Sequence, residues 1–191
     1  MALGCASAST PVVRETSPAS ADSSPSESPK RSEVDALGGD ATIEIPAPAY
    51  AVMDVLCRPE AIWQVLPNVA NVEDLGEDGG DLLWRVTHAL GVFRGGYVLR
   101  IRRDWGERGG HTLRFWVDTR FERDVEDAWG YFHFEPVDGN RTRLHYRVRA
   151  LLYPGIIRWL FAEKIQWALM VVPERTQAFI ERHREVPSGA L

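Results

Sequence analysis

The chain is poor in the residue types that enzymes use as nucleophiles. Residues 41–187 contain no serine, one cysteine (Cys57) and one lysine (Lys164). The missing serine excludes a Ser–His–Asp hydrolase in this segment, and Cys57 lies in an apolar helical pattern typical of a buried thiol. Because the other cysteine, Cys5, lies far towards the N-terminus, no disulfide can form within the body of the chain, and cysteine usage does not determine the redox compartment.

Motifs for metals, nucleotides and membrane spans are missing too. The five histidines form no HExxH motif, no Cys-x-x-Cys is present and no Gly-x-Gly-x-x-Gly loop follows a strand, so we expect neither a metal nor a cofactor. The net charge is −5 and the body is close to neutral, which argues against DNA as a partner. Charged residues interrupt the most apolar stretch, residues 156–172, so no transmembrane helix is predicted.

The first 40 residues differ in composition from the rest. They hold nine serines, four prolines and no aromatic residue, which predicts a disordered tail joined to one domain over residues 41–186. Gly4-Cys5 resembles the end of a bacterial lipoprotein signal. Two interpretations stay open: a lipid anchor on Cys5 if the true start lies upstream, or a plain linker in a cytoplasmic protein.

Hydrophobic periodicity places the elements of the body. A strand at 41–45 precedes two short helices at 49–57 and 60–65, and short turns then separate a series of strands. One strand is expected to run from Phe121 to Glu135, with a bulge between Ala128 and Gly130. A last helix of roughly 30 residues follows Pro154 and is expected to kink at Pro173.

This order resembles the SRPBCC superfamily, which includes START lipid-transfer domains, polyketide cyclase/dehydrases and coenzyme Q-binding proteins. The residues that carry the likeness are 41–55, Trp63 to Pro67, Trp129 to Pro136, 142–148 and the terminal helix. The resemblance implies an α+β helix-grip fold, in which a curved antiparallel sheet of about seven strands wraps around one long C-terminal helix. Members of the superfamily usually keep an internal cavity.

Large inward side chains are expected to hold such a cavity open. Strand parity, together with the apolar face of the last helix, predicts its wall: Trp84, Val86, His88, Tyr97, Leu99, Phe115, Trp129, Tyr131, Tyr146, Val148, Ile165, Leu169 and Val172. The alternative is that these residues fill a solid core.

Candidate polar groups are few. Arg123 and Asp127, with His88 or His133, could polarise a ligand carbonyl or act as acid and base. Alternatively, the acids at 122, 124 and 126 face the arginines at 143, 147 and 149 as an ionic surface. The cluster Arg94, Arg100, Arg102 and Arg103 suits RNA or anionic lipid, or else an ordinary solvated face.

Two apolar stretches, 90–93 and 151–159, are expected either to form a gate that touches a membrane transiently or to be packed in the fold. The sequence therefore predicts a binder or carrier of a hydrophobic small molecule such as a lipid, isoprenoid quinone or polyketide. A cyclase/dehydrase enzyme that uses His88, Asp127 or His133 is the alternative, and a protein- or ribosome-interaction module is the third. The ligand's identity and the oligomeric state are not encoded in any recognisable motif.

Overall fold

The computed structural model describes residues 35–106 and 110–184. Most of the predicted tail, including Cys5, lies outside these residues. Eleven elements follow one another along the chain: β1 (Leu37–Ile45), α1 (Ala49–Leu56), α2 (Pro59–Val65), β2 (Val69–Asp78), β3 (Asp81–Leu90), β4 (Phe93–Trp105), β5 (His111–Val117), β6 (Asp127–Asp138), β7 (Arg141–Leu151), α3 (Ile156–Met170) and α4 (Val172–Arg184).

The seven strands form one antiparallel sheet in the order β1-β7-β6-β5-β4-β3-β2. From β2 onwards, neighbours in the chain pair through short connections, while β1 adds to β7 at one edge. The two short helices cross from β1 at one edge to β2 at the other. The α+β helix-grip architecture expected from the sequence is confirmed.

One face of the sheet and the helices α1, α2 and α4 enclose the hydrophobic core. Side chains alternate between the two faces of a strand, so residues at every second position point inwards. On β6 and β7 the inward residues include Phe132, Phe134, Leu144 and Tyr146, all at most 4% exposed. Met53 of α1 and Val172 of α4 are fully buried against this inner face.

The last helix differs in part from its expected form. It is interrupted at Val171, so that two helices, α3 and α4, replace a single long one. Pro173 explains the break, because it has no N–H to donate to the carbonyl of Leu169 and its ring crowds that carbonyl. The expected kink is therefore present, two residues before the proline.

Two strand boundaries also differ from expectation. β1 begins at Leu37 rather than at residue 41. β6 begins only at Asp127, because residues 118–126 run beside β4, where Asp118 N–H and Asp124 N–H donate to the carbonyls of Val98 (2.8 Å) and Gly96 (2.9 Å). β6 pairs with β7 in continuous register from Asp127 to Pro136, so the bulge expected near Ala128 is absent.

Helix α3 is fixed to the sheet at two places. The Gln166 side chain accepts from Gly38 N–H (2.6 Å) and donates to Gly38 C=O (3.1 Å) at the β1 edge. Gly38 has φ +116°, and a Cβ there would lie 2.3 Å from the Val148 carbonyl oxygen, so only glycine fits. At the other side of the sheet, the Phe161 ring meets the Phe93 ring edge to face at 5.3 Å.

Candidate functional site

A cavity of about 610 Å³ lies beneath α3 and reaches the junction of α2 and β2. Its lining comes from the α2–β2 junction, the β3–β4 hairpin, the loop before β6, the end of β7 and α3. On α3 the lining residues are Phe161, Lys164, Ile165, Ala168 and Leu169, whose spacing places them on one face of the helix. Helix α3 is thus the lid of the cavity.

Side-chain size along the inner face explains where the cavity lies. Ala128 of β6 and Ala150 of β7 are directly opposite each other and both line the cavity. Further along the same two strands, Phe132 lies opposite Tyr146, and these rings pack at 4.9 Å. Small side chains thus leave the space empty under α3, while large rings fill the core.

The cavity has one polar pair of uncharged side chains. His88 Nε2 and Tyr97 Oη lie 3.0 Å apart, with their rings stacked at 5.6 Å. Burial lowers the pKa of His88, against a smaller opposing effect of a hydrogen bond with the Pro67 backbone. Since a proline backbone can only accept, His88 donates Nδ1–H to Pro67 and accepts the Tyr97 hydroxyl proton at Nε2.

Burial also raises the pKa of Tyr97, so its hydroxyl keeps its proton at neutral pH. The neutral pair therefore presents the lone pairs of the tyrosine oxygen to the cavity. Burial raises the pKa of the Cys57 thiol to about 11 as well, and Cys57 packs at the edge of the core, away from the cavity lining.

Charged residues line the cavity at Arg94, Arg123, Lys164 and Asp124. Arg123 donates to the carbonyl oxygens of Thr119 (3.0 Å) and Glu126 (3.2 Å). The Lys164 ammonium lies 5.7 Å from the Phe161 ring centroid. One carboxylate oxygen of Asp124 accepts from Gly96 N–H at 2.8 Å.

Four of the predicted wall residues line the cavity: His88, Tyr97, Ile165 and Leu169. The others that face inwards belong to the packed core or lie against it, so they do not border the empty space: Trp84, Val86, Leu99, Phe115, Tyr146, Val148 and Val172. Of the predicted rings, only His88 and Tyr97 border the empty space.

Trp129, Tyr131 and His133 were predicted to point inwards and lie on the outer face instead. They alternate with Gly130 and Phe132, and they pair across the sheet with Arg149, Arg147 and His145. Without a bulge in β6 their parity cannot change. Asp127 is buried at the start of β6 but does not line the cavity, so of the three acid–base candidates only His88 does.

Ion pairs occupy much of the outer face. Arg143 pairs with Glu44 and Glu135, and Arg149 pairs with Asp40. In the described ion pairs, Arg143 and Arg149 thus meet acids of β1 and β6, not the acids at 122, 124 and 126 that the sequence suggested. In the expected basic cluster, Arg100, Arg102 and Arg103 pair with acids of β2, β3 and the β5–β6 connection: Asp78, Asp81, Asp118 and Glu77.

The residues of the two predicted apolar stretches surround the opening of the cavity. Leu90, Phe93, Leu152, Tyr153, Pro154 and Gly155 line it. Exposed apolar side chains lie beside them, and we call this set the rim: Val92, Phe93, Tyr153, Trp159 and Leu160. Val92 is 93% exposed and Trp159 is 81% exposed, which is unusual for such side chains.

The described part of the chain contains no cluster of three or more metal-ligating side chains and no helix long and apolar enough to cross a bilayer. Sequence reasoning named Arg123 as a polar group of the pocket but missed the small lining residues and Lys164. Alanines at inward strand positions, and the single lysine on the apolar face of α3, were the available signals.

A curved sheet that holds helices over an apolar cavity defines a helix-grip ligand-binding domain. The family model described as polyketide cyclase/dehydrase and lipid transport matches residues 45–170, and the chain belongs to this family. None of the curated protein sequences matches the chain.

Solved structures share the fold at low sequence identity. A STAR-related lipid transfer protein from Xanthomonas axonopodis is 17% identical, with a TM-score of 0.64 over 74% of this chain and 84% of that one. The Zhui aromatase/cyclase from Streptomyces is 18% identical, with a TM-score of 0.61 over 81% and 99%. Human STARD10 is 10% identical, with a TM-score of 0.62 over 76% and 64%.

Proposed function

We propose that the protein binds and carries a hydrophobic small molecule, such as a lipid or polyketide, in the cavity under α3, without transforming it. The observation that carries this proposal is the cavity itself, about 610 Å³ and lined mainly by apolar side chains. Moving apolar surface from water into such a space is favourable by about 25 cal/mol per Å². Family membership supports the same class of ligand.

The rim supports transient contact with a membrane during loading. Trp159, Tyr153 and Phe93 are exposed around the opening of the cavity, and aromatic side chains of this kind favour the boundary between water and lipid. A ligand leaving a bilayer would then pass into the cavity without crossing bulk water.

Filling the cavity tests the carrier function. Ala168 lies on the cavity face of α3, so Ala168→Trp places an indole in the space that the ligand would occupy. Native mass spectrometry and solvent extraction of the purified protein should recover a bound lipid from the wild type and none from this variant. The matched control is Ala178→Trp, at an exposed position of α4, which should retain the lipid. Equal recovery from both variants would refute binding in this cavity.

A cyclase/dehydrase enzyme is the second candidate, and the His88–Tyr97 pair favours it. A neutral imidazole can accept a proton, and the Tyr97 oxygen, whose own proton is donated to His88, can accept a hydrogen bond from a ligand hydroxyl. The carrier is preferred because the described lining offers this one uncharged acid–base pair, while Asp127 and His133 lie outside it.

A further inference from the structure

The arginines of the sheet differ in how their charge is balanced. Ten described arginines of the strands and their connections have a carboxylate oxygen within 3.3 Å: Arg85, Arg100, Arg102, Arg103, Arg114, Arg120, Arg141, Arg143, Arg147 and Arg149. Of the described arginines in these segments, only Arg94 and Arg123 have no such partner, and both line the cavity. Among the described arginines of the strands and their connections, the absence of a described counter-ion is thus confined to the two that line the cavity.

The two arginines differ in how their guanidinium groups could bind a ligand. Arg123 is held by the carbonyls of Thr119 and Glu126 through Nη1 and Nε, so its position is fixed while Nη2 stays free of described partners. Arg94 is exposed and makes no hydrogen bond or ion pair with a described residue. A fixed guanidinium without a carboxylate suits a carboxylate or phosphate oxygen.

Lys164 adds a third cation from the opposite side of the opening. It lies on the cavity face of α3 with Phe161, Ile165 and Ala168, yet it is exposed, so its apolar stem follows the wall while the ammonium reaches water. No described carboxylate pairs with it. Asp124 is the only acid in the lining, so the opening is cationic in a chain whose net charge is −5.

From this unbalanced charge beside an apolar space we infer that the ligand is an anionic amphiphile, whose tail fills the cavity and whose carboxylate or phosphate head binds between Arg94, Arg123 and Lys164. The inference rests on the proposed carrier function and narrows it. Neutral ligands such as isoprenoid quinones would leave the three cations without a counter-ion. Their uncharged head groups would form no ion pair with these side chains.

The test compares amphiphiles that share a dodecyl tail and differ in their head groups. Dodecanoic acid, dodecyl phosphate and dodecanol are titrated into the full chain by isothermal calorimetry. A charge-assisted hydrogen bond at a partly exposed site predicts that an anionic head binds roughly tenfold more tightly than the alcohol, and that added salt reduces this preference. The first two probes distinguish a carboxylate from a phosphate head.

The variants Arg94→Gln and Lys164→Gln should each remove most of the preference for the anion, measured within each variant as the ratio of its affinities for dodecanoic acid and for dodecanol. Arg123→Gln should do the same, with circular dichroism as the check that its loop still folds. Arg175→Gln, on the exposed side of α4, makes the same change in net charge away from the cavity and should have no effect.

Equal affinity for acid, phosphate and alcohol would overturn the anionic head and leave the carrier function intact. A preference that survives in all three cavity variants would also overturn it, because the selectivity would then arise elsewhere. Failure of every probe to bind would refute the carrier function, and the anionic head with it.

Discussion

At the scale of single residues, His88 is the group whose protonation matters most to the cavity. Its pKa is lowered by burial, so the folded protein favours the neutral ring and the unfolded chain binds more protons below the unperturbed pKa of about 6.5. Stability is therefore fully present above that pH and decreases as the pH falls below it. Protonation of Nε2 also ends its role as acceptor of the Tyr97 hydroxyl proton, and the charged ring then donates to the tyrosine oxygen instead.

His88→Gln should consequently flatten the pH dependence of unfolding below about pH 6.5, measured by urea denaturation at several pH values. For a carrier, the same variant should keep ligand uptake within a few-fold of the wild type. Retained uptake together with loss of turnover of a polyketide-like substrate would instead support the cyclase candidate. His133→Gln, on the outer face, is the matched control and should leave uptake unchanged.

Residues also show why part of the site was predictable. His88, Tyr97, Ile165 and Leu169 follow from strand parity and helical periodicity alone, since these depend on local geometry. Trp129 and Tyr131 were misplaced because parity was carried over from residues 121–126, which run beside β4 and do not belong to β6, and because the bulge expected near Ala128 is absent. Local patterns give alternation, but the position from which it is counted depends on tertiary pairing.

At the scale of elements, α3 and α4 have different environments. Helix α4 contributes Val172, Phe179 and Ile180 to the core, all at most 6% exposed. Helix α3 instead covers the cavity and is fixed mainly by Gln166 at one side and Phe161 at the other. Side chains that face an empty space have few neighbouring atoms and so gain little dispersion energy. We therefore expect α3 to unfold locally at a lower free energy than α4.

Removing one attachment should loosen the lid without unfolding the core. Phe93→Ala deletes the ring contact with Phe161, and we expect amide hydrogen exchange in α3 to accelerate about tenfold while exchange in α4 stays unchanged. Ligand release, followed by stopped-flow fluorescence, should accelerate in parallel. Val92→Ala, one residue away but 93% exposed, is the control. Unchanged exchange in α3 of the Phe93 variant would contradict its role as the lid.

The sequence predicted the order of the elements well because each is encoded by its own period and turn residues. Pro173 made the interruption at Val171 predictable. That the two resulting helices would have different environments, one over the cavity and one in the core, was not predictable. That outcome depends on which side chains of the sheet lie below each half, and the small residues Ala128 and Ala150 decide it.

At the scale of the whole molecule, the rim and the three cations lie around the same opening. Apolar side chains that enter the lipid interface and cations that meet anionic head groups reinforce each other. The protein should therefore associate with vesicles that contain anionic lipid more strongly than with purely zwitterionic vesicles, and higher salt should weaken this association.

Trp159→Ser should reduce vesicle binding several-fold in a co-sedimentation assay, because it removes the most exposed aromatic side chain of the rim. Trp105→Ser is the matched control, since Trp105 is also exposed but ends β4 at the opposite end from Phe93. Equal loss in both variants would indicate a general effect of tryptophan removal and contradict docking through the rim.

The break at Val171 has a consequence for how such a protein diversifies. The segment after the break contributes to the core, whereas the segment before it lines the cavity, and one proline separates the two. Substitutions on the cavity face of residues 156–170 should then change which ligand is accepted with little loss of core packing.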